Sequence, residues 1–227
     1  MKTKQIALYI FISLLFFSNN GFSQKLNGDY AQFLKETQQN SEDPSRSDFV
    51  WWIPVEFWRL TLQQNDDFTQ DQIDILANMM SKYTIFAVTE GQWSEKNGTK
   101  YASYEDLKST IQLVCQDTIH LVPFDEKNLE PPVQTLLASF QPLLKNMAGK
   151  SGENLHFFVF NGTDVSGNRT ADPYSKTRVH LSLNKKDFYW KTPLGSIAPL
   201  KICPQDGEKL NGSWDFCPYH GVKLIAQ

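Results

Sequence analysis

The chain has 227 residues, 41% hydrophobic and 21% charged, enough for one domain of ordinary size with a real core. That composition excludes a disordered tail, a collagen-like rod and a disulfide-dense miniature scaffold. A net charge of −3 lacks the basic field that a phosphate backbone calls for, so no nucleic-acid partner is expected.

The N-terminus has the layout of a secretory signal peptide over residues 1–23. A basic start (Lys2, Lys4) precedes an apolar run from Ile6 to Phe17, and Gly21 and Ser23 are the small residues before a cleavage point at Gln24. The run is well short of the ~20 apolar residues that span a bilayer. No Cys follows it to carry a lipid anchor, and no later stretch is long and apolar enough to cross. The expectation is an exported soluble protein, periplasmic or extracellular, with no membrane span after cleavage.

Residues 24–48 read as a polar segment, with a short helix around Tyr30, Phe33 and Leu34 and a linker from Gln38 to Ser47. An aromatic-dense stretch, Phe49 to Leu62, follows. Pro54 argues against an interior helix there, so strand or irregular packed chain is expected. Thr69 to Tyr83 predicts a helix opened by a Thr69/Gln72 capping box, with Ile73, Leu76, Met80 and Tyr83 on one face. Thr84 to Trp93 predicts a strand, Asn97-Gly98 a turn, and Ser103 to Lys108 a helical turn. Thr110–Cys115 and Ile119–Phe124 predict a hairpin around residues 116–118. Pro131 to Met147 predicts a second long helix, with prolines in its first turn and Gly149 as its stop. Leu155–Phe160 and Arg178–Leu183 predict strands on either side of a polar loop. Helices mixed with hairpin-linked strands point to an α+β domain over residues 49–200 with a largely antiparallel sheet.

Several chemical look-alikes fail on their own requirements. Gly149-Lys150-Ser151 has the end of a phosphate-binding loop, but Leu144 stands where its first Gly belongs and the segment closes a helix rather than opening one. Ser182-Leu183-Asn184-Lys185 has the Ser-x-x-Lys spacing without partner motifs. The oxygen-rich loop from Asn161 to Asp172 has Arg169 and Ser175 where a calcium loop starting at Asp164 needs Gly and Glu. His120, His156 and His180 read as sheet residues. No metalloprotease helix, hydrolase elbow or spaced carboxylate pair is present. Asn97, Asn161, Asn168 and Asn211 occupy glycosylation sequons. Trp51, Trp52, Phe57 and Trp58 read first as core fillers and alternatively as a platform on which a sugar or peptide ligand stacks.

One constellation carries chemistry. Residues 201–227 contain Cys203-Pro204-Gln205-Asp206-Gly207 and Cys217-Pro218-Tyr219-His220-Gly221, a C-x2-D-x10-C-x2-H spacing. A tetrahedral ion takes two ligands three positions apart from each of two tight turns; Pro stiffens such a turn and Gly supplies a positive φ. The pair resembles the two knuckles of a zinc ribbon. That resemblance implies a structural zinc held by Cys203, Asp206, Cys217 and His220, with Asp206 where the family pattern has Cys, and it implies no enzymatic activity. In an oxidising compartment Cys203 and Cys217 are equally able to form a disulfide, whose loop would stabilise by ~3 kcal/mol. Cys115, with no neighbouring base or cation, reads as a buried strand thiol. Trp214 and Phe216 suggest that this tail packs on the body. The functional expectation is a non-enzymatic binding or assembly protein with a protein or glycan partner; the alternative is an exported hydrolase or glycan-binding protein using the Trp51–Trp58 region.

Overall fold

The computed structural model describes residues 28–115 and 118–227, and within the longest helix only the backbone at 143 and 145–150. The leader read over residues 1–23 lies outside the described residues. No described helix is long and apolar enough to cross a membrane.

The chain folds as expected into an α+β architecture, and every strand pairing among the described residues is antiparallel. Helix α1 (Tyr30–Thr37) starts at Asp29, whose side chain accepts the Gln32 N–H. It leads straight into strand β1 (Gln38–Asn40), so the segment expected to be linker begins as an edge strand. Strand β2 (Phe49–Ile53) stops at Pro54, and Val55–Leu62 is a helix, α2, where strand or irregular chain was expected. Pro54 is the extended N-cap residue rather than an interior one. There its missing N–H costs nothing, and its carbonyl accepts the Phe57 N–H at 3.0 Å.

Helix α3 (Gln70–Met80) has the Thr69/Gln72 capping box and buries Ile73, Leu76 and Met80. Strand β3 (Tyr83–Thr89) follows, then the β4 (Gly91–Ser94)–β5 (Gly98–Tyr101) hairpin, with Gly98 at a positive φ of 68°. Ser103 and Asp106 form a second capping box at α4 (Tyr104–Lys108). Strands β6 (Gln112–Cys115) and β7 (Ile119–Leu121) pair as a hairpin whose turn residues 116 and 117 lie outside the described residues. Helix α5 runs from Pro131 to Glu153, past Gly149, so Gly149 does not end it and the phosphate-loop look-alike falls within its last turns. Strands β8 (His156–Asn161) and β9 (Arg178–Leu183) match the expected runs.

Strand β10 (Lys186–Lys191) has no counterpart in the sequence reading. It pairs with β9 through a two-residue turn at Asn184 and Lys185, both at positive φ (51° and 65°). The Ser-x-x-Lys look-alike is therefore a hairpin tip.

Two four-stranded sheets form the body, in the orders β1-β2-β3-β8 and β10-β9-β6-β7. Pleating sends neighbouring side chains to opposite faces, which separates Trp51 from Trp52. Trp52 and Phe86 meet Trp190 of the second sheet at ring separations of 6.3 and 5.4 Å. Trp51 meets Phe57 of α2 at 4.9 Å, and Phe57 meets Phe140 of α5 at 5.9 Å. The first sheet is thus a middle layer, with the second sheet on one face and helices on the other.

The tail adds a small sheet of β11 (Lys201–Ile202), β12 (Lys209–Leu210) and β13 (Ile225–Ala226), in the order β12-β11-β13. Its core is separate from that of the body: Cys203, Leu210, Cys217 and Leu224. It does rest on the body: Trp214, 43% exposed, shares a cleft with Lys35, Glu36 and Tyr189 of the body, whereas Phe216 is 60% exposed. Backbone approach adds to this seat. A Cβ on Gly212 would stand 2.0 Å from the Pro199 carbonyl oxygen, and Gly195 lies against the Asn211 side chain. Lys176 of the body pairs with Asp215.

Candidate functional site

The two knuckles of the tail are built alike. In the first, Gly207 has φ of 77° and donates its N–H to the Cys203 carbonyl at 2.8 Å; in the second, Gly221 has φ of 65° and donates to Cys217 at 2.9 Å. The Cys203 N–H reaches the Glu208 carbonyl at 2.9 Å and the Cys217 N–H that of Val222 at 2.8 Å, closing each turn from outside. Strand β11 enters the first turn and β12 leaves it. Beside the second, β13 returns onto β11, which brings the two turns face to face.

This geometry draws Cys203 Sγ, Cys217 Sγ and a His220 ring nitrogen together within 4.8 Å of one another. Both sulfurs lie 3.5 Å from His220 Nδ1. Asp206 stands at the edge of this group, its Oδ2 also 3.5 Å from His220 Nδ1. Tetrahedral ligands at zinc distances are separated from one another by roughly 3.3–3.8 Å. The spacing and the donor types of Cys203, Cys217 and His220, two thiols and an imidazole, therefore suit a small tetrahedral cation, while Asp206 approaches His220 but lies outside the set of mutually close ligand atoms. Both cysteines are buried while His220 and Asp206 lie at the surface, so one side of the group faces water.

Cys115, Cys203 and Cys217 are all free thiols, and the bond that the spacing permits between Cys203 and Cys217 is not formed. Burial pushes the Cys203 thiol up, against the pull of backbone N–H groups at Gln205 and Asp206. The Asp206 carboxyl is held below its usual range, first by the Glu208 N–H and then by the Cys203 side chain. Burial also raises the Cys115 thiol, which contacts the Thr170 carbonyl at 3.8 Å; it is a poor nucleophile.

Trp51, Trp52, Phe57 and Trp58 are 5, 1, 2 and 4% exposed, so the aromatic run is interior rather than an open platform. Two of the four, Trp51 and Phe57, line the floor of a cleft that opens to solvent. The three strand histidines are engaged locally. His120 Nδ1 is 2.8 Å from Gln112 Oε1, His180 Nε2 is 2.7 Å from Asp187 Oδ1, and His156 packs edge-on to Tyr104. In the polar loop, Asp164 Oδ1 accepts the Ser166 and Asn168 N–H groups, which turns the carboxylate onto its own backbone.

Sequence reasoning missed two buried ionic groups. Asp48 and Glu90 share Lys186 Nζ at 2.7 and 2.9 Å; Arg46 also pairs with both, and the Asn184 amide donates to Glu90. Glu56 in the first turn of α2 receives Arg169 in a two-pronged contact of 2.7 and 3.1 Å. Arg46 stands only two residues from Asp48, but Lys186 and Arg169 come from distant parts of the chain, so local spacing does not mark the groups as a whole.

Comparison with protein-family models, with curated proteins and with solved structures finds no match. The functional reading therefore rests on the residues themselves.

Proposed function

We propose that the chain is an exported, non-enzymatic binding or assembly protein whose tail, residues 201–227, is a zinc-ribbon-like structural metal site. One observation carries the reading: two matched turns hold Cys203, Cys217 and His220 within 4.8 Å, the separation of ligands around one ion. Zinc is the ion that fits two thiolates and an imidazole in a closed four-ligand shell. Asp206 is the fourth ligand in this reading. A shell completed by four protein groups leaves no position for substrate, so the ion's role is to hold the tail together.

The test is metal content and a thiol count on the mature protein, purified from its native compartment without reductant. The expected result is one zinc per chain, three alkylatable thiols after denaturation, and an N-terminus at Gln24. No metal and a single alkylatable thiol would establish a Cys203–Cys217 disulfide and overturn the zinc reading. An intact leader would overturn export by cleavage.

A further inference from the structure

A cleft of about 390 Å³ lies at the seam between tail and body, within the ~300–1,000 Å³ typical of small-molecule sites and at the kind of junction where they concentrate. The end of α1 and strand β1 supply one wall, the end of β10 a second, and Ser213 and Trp214 of the tail a third. Trp214 and Tyr189 are 43% and 44% exposed, so both border the opening where a ligand can reach them.

Both residues are fixed before a ligand arrives, which lowers the ordering cost of binding. The Trp214 N–H donates to the Asn211 carbonyl at 3.1 Å, its carbonyl accepts Lys201 Nζ, and its neighbour Asp215 pairs with Lys176 of the body. Tyr189 stacks on His180 at 4.3 Å, has the Arg178 guanidinium 5.1 Å from its ring centre, and accepts the Gln39 amide on its carbonyl at 2.6 Å. Tyr189 is therefore a set wall. Among the described residues no other aromatic ring stacks on Trp214, which leaves the indole as the ring open to a ligand.

The charges lining the cleft are unequal. Lys35 and Lys191 make no hydrogen bond or ion pair among the described residues. Both oxygens of Glu36 are occupied, Oε1 by the Gln32 amide and Oε2 by the Ser196 N–H and hydroxyl. Two unpaired ammonium groups against one occupied carboxylate leave the cleft net positive. A plain hydrocarbon would leave the lysines without partners, and a bare anion would leave the indole unused. The combination suits a molecule with a C–H-rich ring face and carboxylates at its edge.

We propose that this cleft binds an acidic oligosaccharide built of uronic-acid rings. One pyranose ring lies on Trp214, and the carboxylates of the chain pair with Lys35 and Lys191. This inference goes beyond the reading of the metal site. It needs the tail seated on the body but not zinc in the knuckles, so the zinc assay can fail without touching it.

The experiment is calorimetric titration of the mature full chain with trigalacturonate, beside maltotriose and triglutamate. Saturable binding of trigalacturonate at one per chain is expected. Maltotriose lacks the charge and triglutamate lacks the ring, so each should bind at least about tenfold more weakly. Trp214→Ala should weaken trigalacturonate about tenfold. Lys35→Gln and Lys191→Gln should each weaken it about two- to fivefold, an effect that shrinks at high salt. If limited proteolysis shows that Trp214→Ala unseats the tail, the two lysine variants, both on the body, decide. The proposal is overturned by absence of saturable binding, by maltotriose or triglutamate binding equally well, by unchanged affinity in a seated Trp214→Ala, or by unchanged affinity in both lysine variants.

Discussion

Gly207 and Gly221 occupy the same place in two matching turns, each at positive φ and each donating its N–H to the carbonyl of the cysteine four residues earlier. A Cβ at either position meets open space, so the demand is conformational and not one of room. An L-residue held in this region costs about 1–2 kcal/mol. Gly207→Ala and Gly221→Ala are each expected to lower zinc affinity about tenfold while leaving the melting of the body unchanged. Competition against a colorimetric chelator, paired with a thermal melt, checks both halves.

Asp206 stands where a ribbon knuckle would carry a thiolate, 3.5 Å from His220 Nδ1. A thiolate is the softer and stronger zinc ligand. Asp206→Cys is expected to tighten zinc at least tenfold, and Asp206→Ala to weaken it by a similar factor. Equal affinity in all three proteins, measured by the same competition, would remove Asp206 from the ligand set.

The tail is seated by backbone approach at Gly212, where a Cβ would meet the Pro199 carbonyl oxygen at 2.0 Å. Neither partner is the far end of a flexible side chain, so Gly212→Ala should lift the tail and separate Lys176 from Asp215. Limited proteolysis should then cut the connection between residues 199 and 212 at least tenfold faster than in the parent. An unchanged cleavage rate would mean the seat lies elsewhere.

Lys186 bridges two carboxylates, Asp48 and Glu90, whose side chains are only 2% and 6% exposed. Lys186→Met leaves Arg46 alone to balance both. The expected loss lies toward the lower end of the ~3–5 kcal/mol for breaking a buried pair, because Lys186 keeps a third of its side chain in water. Burial alone would raise the Asp48 carboxyl, but hydrogen bonds from Arg46 and Lys186 outweigh it and hold it below the usual range. A depressed carboxyl contributes stability that is full above its unfolded value of ~3.9 and lost as pH falls through the folded value. In Lys186→Met that loss should begin at higher pH. Urea midpoints measured from pH 7 down to pH 3 test both the size and the pH at which the curves part.

Much of the fold was legible in the chain wherever the causes are local. Thr69 with Gln72 and Ser103 with Asp106 cap helices through contacts three residues long, and Asn97-Gly98 makes its turn within four. Alternation also marks β9, whose buried residues are Val179, Leu181 and Leu183. The same alternation in β10, with Phe188 and Trp190 inward, was present but masked by its charged outer residues. Pro54 misled because a proline that breaks a helix interior equally well begins one, and only the chain before it shows which.

By itself the sequence determined the α+β class and the two matched turns of the tail, since Cys203–Gly207 and Cys217–Gly221 close over a few bonds of backbone. Tertiary structure alone decided which side of the sheet each tryptophan faces, and so which of them meet a cavity. It also decided which carboxylates lose water. Lys186 and Asp48 are 138 residues apart, and burial of a charge is tolerable only once the fold has delivered its partner. Capping and turn chemistry act within a few residues, whereas desolvation depends on every element that closes around a group.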